Sequence, residues 1–275
     1  KKVEKVVYIG QAFRKTFNQK DSIIKNQIGF EIIGSNKEKE DDKKIIETSL
    51  KSLSKLNYSS GNLILGNVEI FKLLINKLDI PKRWRLRLQR HYWRENYFND
   101  LLKRLETNSD VDPTIVEIDK KKYQKMQKQD QSRLIAGRSL IEILARFNNK
   151  IKDPRRAKKG RNVSKIIQEF LKISCPISEA PNKLNIFFKK HKINIRVQNN
   201  YFPVTKNKLA KLNVEFSASF GRQLEYYTGL VFRIDIKQKS KNTNILNGGR
   251  YDNLISDLGS VKKIPAVGAA LNLNY

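Results

Sequence analysis

Cysteine and histidine are nearly absent from this 275-residue chain, which contains one cysteine and two histidines. The single thiol, Cys175, excludes an internal disulfide, and such sparse cysteine usage is typical of proteins from a reducing compartment. So few Cys and His side chains also argue against a zinc site, which usually gathers four such ligands. We therefore expect a cytoplasmic protein that holds no metal and no cofactor.

Long hydrophobic runs are also missing, since none approaches the roughly 18 apolar residues that a membrane-spanning helix needs. No signal peptide is recognisable at the start of the sequence. The chain opens with Lys1 and Lys2 instead of methionine and enters a strand-like stretch at Val3. We expect the natural N-terminus to lie upstream, and we predict no association with a membrane.

Acidic residues are scarce relative to basic ones: 56 Lys and Arg stand against 27 Asp and Glu, a net charge of +29. Such an excess indicates a nucleic-acid binder if arginine and aromatic residues concentrate on one element, and only the stretch from Lys82 to Arg94 does so. There, a phosphate-contacting helix and an amphipathic helix with Trp84 and Leu88 packed inward both remain open. The alternative explanation for the charge is a compositional bias toward lysine, as in proteins of AT-rich genomes.

The hydrophobic pattern divides the chain into β-rich ends and a helical middle. Alternating apolar residues predict strands over 3–13, 27–33, 62–65, 213–219, 227–237, 243–246 and 266–273. Apolar residues three and four apart predict helices over 38–56, 69–78 and 252–258.

From Pro81 to Pro181 glycine is scarce and the apolar spacing is helical throughout. Ser139 followed by Glu142 forms a capping box, which predicts a helix start. We predict an α+β fold in which residues 1–80 and 182–275 form an antiparallel sheet flanked by helices, interrupted by a helical insertion over 81–181.

The predicted second strand places polar side chains on one face. Gln27, Gly29 and Glu31 are two residues apart, so their side chains share that face. A carboxylate and an amide with a glycine between them could hold a small polar cationic ligand. The other interpretation is the solvent-facing side of an antiparallel sheet.

Two segments nearer the C-terminus carry further binding chemistry. Arg222 offers a planar fork that binds a carboxylate through two parallel hydrogen bonds, and Tyr226 and Tyr227 would point to opposite faces of the predicted strand. Gly248 and Gly249 precede a predicted helix, where the backbone could approach an anionic ligand closely. Each pattern alone equally describes an ordinary turn or hairpin.

Taken together and in this order, these segments resemble the histidyl-tRNA synthetase group of class II synthetases. Residues 8–14 with 27–34 are similar to motif 2 of that group, 222–232 to its histidine-binding signature, 248–254 to its second signature and 265–268 to the entry of motif 3. The resemblance implies the class II antiparallel sheet with a helical insertion between motifs 2 and 3. It also implies that motif 1 and its dimer-forming helix would precede residue 1.

The resemblance further implies a histidine pocket and assigns no catalytic residue. Glu31 and Tyr227 would read the imidazole, Gln27 the α-amino group and Arg222 the carboxylate, while Tyr251 would line the pocket. Tyr226 would belong to the same pocket, with Arg14, Gly248 and Gly249 nearby. This set suits the ligand, because a zwitterion with a ring donor and acceptor needs carboxylate, amide, guanidinium and phenol groups around it.

The resemblance also implies that this chain lacks key residues of the synthetases' nucleotide site. Their motif 2 has a glutamate two residues after its arginine, whereas here Thr16 follows Arg14 at that spacing. The arginine that ends motif 3 falls at Asn274 or Tyr275, and Asn272 replaces the glycine that makes room for adenine. Tyrosine cannot supply the cation that neutralises charge developing in adenylyl transfer.

A class II fold that keeps the amino-acid site and loses the ATP site resembles the regulatory subunits of ATP phosphoribosyltransferase, synthetase paralogues in histidine biosynthesis. This resemblance implies a non-catalytic protein that binds the short-form catalytic subunit, senses L-histidine as feedback inhibitor and forms a dimer at full length. Nucleic acid is not an expected partner in that case. The alternative is a histidine–tRNA ligase fragment, which the high charge favours, and a general RNA-binding module is a more distant one.

Overall fold

A computed structural model describes residues 3–13, 23–107, 113–129, 134–151, 157–203, 211–221, 225–238 and 241–273. The chain divides into two compact units, one formed by Lys1–Leu74 with Phe170–Tyr275 and the other by Ile75–Glu169. The predicted domain limits at 80 and 182 remain a proposal. No helix among the described residues is long and apolar enough to cross a bilayer.

The strands of the described residues are β1 Glu4–Phe13, β2 Ile24–Ile33, β3 Ser60–Asn67, β4 Leu134–Ile135, β5 Arg138–Ser139, β6 Ser174–Pro176, β7 Lys211–Ser217, β8 Leu230–Gln238, β9 Lys241–Arg250 and β10 Ala266–Asn272. The helices are α1 Glu38–Lys55, α2 Val68–Lys77, α3 Lys82–Arg90, α4 Glu95–Thr107, α5 Pro113–Gln127, α6 Leu140–Ile151, α7 Ala157–Leu171, α8 Ala180–Lys190 and α9 Leu254–Asp257. The β-rich ends are as predicted, and the middle is mostly helical. The short strands β4, β5 and β6 lie within 81–181, so the prediction of a purely helical insertion is wrong there, because strands of two or three residues are too short to show an alternating pattern.

The first unit is built on an eight-stranded sheet in the order β1-β2-β10-β9-β8-β3-β7-β6. The pairings are antiparallel except between β3 and β7, which run parallel. The prediction of an α+β fold with a sheet flanked by helices is confirmed, but the sheet is mixed and not purely antiparallel. The alternating pattern cannot reveal strand direction, because both kinds of pairing give side chains the same period of two.

Strand register brings small residues beside Glu31 on one face of the sheet. Glu31 of β2 lies opposite Gly268 of β10, and Gly268 lies opposite Gly249 of β9. Phe30 and Ala269, one residue along, point to the other face and are buried in the core. The face that carries Glu31 is therefore open at its centre.

Helix α1 packs on the opposite face, against β2, β9 and β10. Its apolar stripe, which includes Ile46, Leu50 and Leu53, is fully buried. Arg250 leaves β9 toward this side and binds Asp42 of α1, with Nε 2.9 Å and Nη2 2.6 Å from Oδ1. A buried ion pair thus joins the helix to the strand beneath it.

The second unit contains most of the helical middle of the chain. Trp84 and Leu88 of α3 are buried, and the guanidinium groups of Arg83 and Arg87 lie 5.5 and 5.4 Å from the Trp84 ring. These two arginines therefore lie against a buried ring of their own helix, which supports the amphipathic interpretation of 82–94.

One of the two hydrogen bonds of the predicted capping box forms in this unit, where the backbone amide of Glu142 donates to Ser139 Oγ over 3.4 Å. Helix α6 begins at the next residue, Leu140, as the motif predicted.

Candidate functional site

A cavity of about 490 Å³ lies on the open face of the sheet in the first unit. The wall includes five residues predicted to bind histidine, namely Gln27, Glu31, Tyr226, Tyr227 and Tyr251, together with Gly248, which was predicted to lie near the pocket. Arg14 and Arg222 lie outside the described residues, as do Thr16, Asn274 and Tyr275. Residues from both ends of the chain thus meet in one cavity, and their role in binding histidine stays a prediction.

Glu31 forms the acidic centre of the cavity. The hydroxyl of Tyr251 donates a hydrogen bond to Glu31 Oε2. A Cβ atom at Gly268 would overlap the Glu31 carboxylate, so the carboxylate lies directly over this glycine. Only glycine leaves that space, which explains why this position of β10 lacks a side chain.

Burial sets the protonation of this pair. Burial raises the pKa of Glu31, while the hydrogen bond from Tyr251 acts against this rise. The pKa of Tyr251 is also raised, by burial and by the neighbouring carboxylate, so the phenol stays protonated and able to donate. The pair can accept one hydrogen bond at the carboxylate from a ring N–H and offers the phenol oxygen as a second acceptor.

Tyr226 and Tyr227 lie together on the same side of the sheet. Their ring centroids are 4.7 Å apart, and the Tyr226 ring meets the Tyr251 ring edge-on at 6.0 Å. The prediction that they point to opposite faces is wrong, because β8 begins only at Leu230 and the tyrosines precede it in a turn. Outside a strand the alternation of side chains does not apply.

The glycine pair serves the packing of aromatic rings. A Cβ at Gly249 would lie 2.5 Å from the Tyr227 ring, and one at Gly248 would lie 2.5 Å from the Phe232 ring on the core face. Both glycines belong to β9 and not to a loop before a helix, so the predicted anion site at a helix start is wrong. Helix α9 begins four residues after this strand ends, at Leu254.

Gln27 is buried beside Asn272, and its Nε2 donates to Asn272 Oδ1 over 2.7 Å. The two residues are direct partners in the register of β2 and β10. Asn272 had been predicted only as a substitute for a glycine of the nucleotide site. Its place next to Gln27 depends on strand pairing, which the sequence does not display.

Several residues of the cavity were missed by the sequence analysis. Tyr8 of β1 covers Gly29, where a Cβ would overlap its ring. Phe220, Arg233, Asn244 and Asn247 line the other half of the cavity. The spacing of Arg233 and Asp235 on one strand was the available signal, but an Arg-x-Asp pattern is too common to single out.

Comparisons with known proteins agree with this architecture. The family model for histidyl-tRNA synthetase matches residues 1–275. A protein of Allorhizobium ampelinum named ATP phosphoribosyltransferase regulatory subunit is 28% identical, over 98% of this chain and 76% of that protein. One of the same name from Brucella anthropi is 25% identical, over 98% of this chain and 76% of its own length.

Among solved structures, histidyl-tRNA synthetase from Nostoc sp. PCC 7120 has a TM-score of 0.54 at 14% identity, covering 97% of this chain and 52% of that one. This likeness concerns the fold alone. With the whole chain matched by the family model, this protein belongs to the histidyl-tRNA synthetase family.

Proposed function

We propose that this chain is a non-catalytic regulatory subunit of ATP phosphoribosyltransferase that binds histidine in the cavity of the first unit. The observation that carries the proposal is the Glu31–Tyr251 pair over Gly268, with Gln27 on the same strand. These groups supply a carboxylate, a phenol and an amide within one cavity, as an imidazole with an α-amino group requires. The name shared by the curated relatives supports the regulatory role.

Histidine would act by favouring one state of the complex with the catalytic subunit. A ligand shifts such an equilibrium only as far as it binds one state better than the other. Feedback inhibition therefore requires that histidine bind the inactive state of the complex more tightly than the active state. The sequence changes at Thr16 and Tyr275 support a protein that does not activate the amino acid.

The first experiment is isothermal titration of this protein with L-histidine. We expect one site that Glu31→Gln weakens at least about tenfold, because a hydrogen bond to an ionised carboxylate is lost. The control is Glu4→Gln, which removes an exposed carboxylate from β1 and should leave the affinity unchanged. No heat of binding with the unsubstituted protein, or equal affinity in both variants, would contradict the proposal.

The second experiment adds the protein to a short-form catalytic subunit and measures phosphoribosyl transfer. We expect the mixture to be more active than the catalytic subunit alone and to lose that gain when histidine is added. In Glu31→Gln the gain should persist, but histidine should no longer abolish it.

The second candidate, a histidine–tRNA ligase fragment, is favoured by the match to the family model. It shares the amino-acid pocket, so histidine binding does not separate the two functions. Exchange of pyrophosphate into ATP in the presence of histidine does, since only a ligase forms the adenylate. We expect background exchange.

We also propose that the full-length protein forms a dimer. The support comes from edge strand β1, on which Val7, Ile9 and Phe13 are 71%, 77% and 72% exposed. Proteins usually cover such apolar edges, since an open edge pairs readily with other strands. Light scattering on the full-length protein tests this, and a monomer at micromolar concentration would contradict it.

A further inference from the structure

Two side-chain amides meet in the wall of the cavity, one on β2 and one on β10. Gln27 and Asn272 are direct partners in the register of these strands, and both line the cavity. Gln27 is only 7% exposed, and its Nε2 donates to Asn272 Oδ1 over 2.7 Å. A hydrogen bond of this length in a buried place restricts the rotation of the Gln27 side chain.

The backbone holds Asn272 in this position. Asn272 is the last residue of β10, and the residue before it, Leu271, pairs with Ile28 of β2. The residue after it continues the contact with β2, because the amide of Leu273 donates to the carbonyl oxygen of Asn26 over 2.8 Å. The backbone is thus bound to β2 on both sides of Asn272, which makes its Oδ1 a well-placed acceptor.

The contact with Asn272 decides which end of the Gln27 amide is left for a ligand. A side-chain amide has a donor end and an acceptor end. Because Asn272 Oδ1 accepts from Nε2, the carbonyl oxygen Oε1 is directed away from Asn272. Within the part of the chain that the structure describes, this is the only hydrogen bond of the Gln27 side chain, so Oε1 remains available as an acceptor.

An acceptor at this place favours an ammonium group on the ligand. An α-ammonium group carries three N–H donors and no acceptor, so it pairs with a carbonyl oxygen. If the Gln27 amide were turned over, an N–H group would face the ammonium group, and the two donors would repel each other. The orientation that Asn272 imposes therefore matches the α-amino end of an amino acid.

The spacing along β2 suits a ligand with a donor at each end. Gln27 and Glu31 are four residues apart on one face of the strand, so their Cα atoms are about 13 Å apart. The ring of Tyr8 lies between them, since a Cβ at Gly29 would overlap it. A ligand lying across this ring would meet an acceptor at either end, and histidine offers a ring N–H to one and its α-ammonium group to the other.

We propose that Asn272 is a positioning residue, which holds the Gln27 amide with its oxygen toward the ligand and thereby makes the cavity select ligands with an α-ammonium group. This inference rests on the proposed histidine site. It adds the residue that sets the orientation of one of the acceptors in that site.

The test is isothermal titration with L-histidine and with imidazolepropionate, which is histidine without its α-amino group. We expect the unsubstituted protein to bind histidine at least about tenfold more tightly than imidazolepropionate. Asn272→Ala should weaken histidine binding about three- to tenfold, because the ligand must then order the Gln27 side chain itself. The same variant should change the affinity for imidazolepropionate less than twofold, since that ligand does not use the amide.

Two further variants separate positioning from a general defect. The matched control is Asn99→Ala, which removes an exposed asparagine of α4 and should change both affinities less than twofold. Asn272→Asp keeps an acceptor for Gln27 Nε2 and should retain the preference for histidine. Equal loss of both ligands in Asn272→Ala would overturn the positioning role, because it would indicate that the cavity as a whole is disturbed.

A double-mutant cycle tests whether Asn272 acts through Gln27. Once Gln27→Ala has removed the amide, adding Asn272→Ala should weaken histidine binding less than twofold further, because no amide is left to position. Strictly additive losses would show that Asn272 acts on the ligand independently, and they would overturn the inference.

Failure of this inference differs from failure of the proposed function. If histidine binds and Glu31→Gln weakens it, but Asn272→Ala leaves the preference for histidine unchanged, the inference fails and the proposed function stands. If the unsubstituted protein does not bind histidine, the proposed function fails and the inference fails with it.

Discussion

Glu31 is a predicted histidine-binding residue, and burial disfavours the charged form of its carboxyl group. The pH dependence of histidine binding should therefore report its protonation. Burial raises its pKa, so the empty site takes up a proton at a higher pH than an ordinary glutamate does. The protonated carboxyl group is neutral and accepts a hydrogen bond from a ring N–H more weakly than the carboxylate does, so histidine affinity should fall as the pH drops through this raised pKa. Titrations in a pH series test this.

The control for this pH dependence is Glu31→Gln. The variant should keep only the pH dependence that belongs to histidine itself, and the two profiles should differ on the acidic side. Since the raised pKa means that the fold disfavours the charged form, ionised Glu31 destabilises the empty protein at neutral pH. We therefore expect Glu31→Gln to melt at the same or a higher temperature, and a clearly lower one would contradict this account.

A substitution at Gly268 tests whether the space above this glycine is needed for the Glu31 carboxylate to bind the ligand. In Gly268→Ala the new methyl group overlaps the Glu31 carboxylate, which must move. We expect at least about tenfold weaker histidine binding and a loss of about 1–3 kcal/mol in the free energy of unfolding. The control is Gly10→Ala on β1, where a Cβ meets nothing within 4 Å. Unchanged binding in Gly268→Ala would place the ligand elsewhere.

At the scale of elements, Arg250 fixes helix α1 to strand β9. Its guanidinium binds Asp42 and Asp252 and also donates to the carbonyl of Glu38 over 2.8 Å. In Arg250→Met two buried carboxylates lose their partner, so we expect about 3–5 kcal/mol less stability in urea unfolding. Arg196→Met, an exposed arginine, should cost less than about 0.5 kcal/mol.

Removal of the Asp42 charge as well tests why Arg250→Met lowers the stability. Adding Asp42→Asn to Arg250→Met should restore part of the stability, because one buried charge without a partner is gone. A strictly additive double variant would instead assign the loss to packing of the arginine stem.

The bounds of the helices and strands show how much of the secondary structure hydrophobic periodicity can predict. Helix α1 was predicted within one residue because its apolar side chains recur at helical spacing and all face the sheet. Strand β9 was predicted too short, since Gly248 and Gly249 have no side chains to continue the alternation. Glycine is compatible with a loop and also with a strand against which an aromatic ring packs closely. Here the rings of Tyr227 and Phe232 pack on the two glycines, and these contacts between distant residues favour the strand.

For the whole molecule, the net charge of +29 predicts attraction to any polyanion. Fluorescence anisotropy should show equal affinity for a histidine tRNA and for an unrelated RNA of the same length, with both affinities falling steeply from about 0.05 to 0.3 M KCl. Histidine binding in the half-buried cavity should change far less with salt. A salt-resistant preference for one tRNA would support the ligase alternative.

The sequence by itself determined the α+β class, the positions of most elements and the residue types of half the cavity, because periodicity and short motifs are local properties of the chain. Only the tertiary structure decided the parallel pairing of β3 with β7 and the turn that brings the rings of Tyr226 and Tyr227 to the same side of the sheet. It also decided the contact of Gln27 with Asn272, which the register of β2 and β10 brings together. Register and strand direction depend on contacts between distant residues, and no local pattern encodes them.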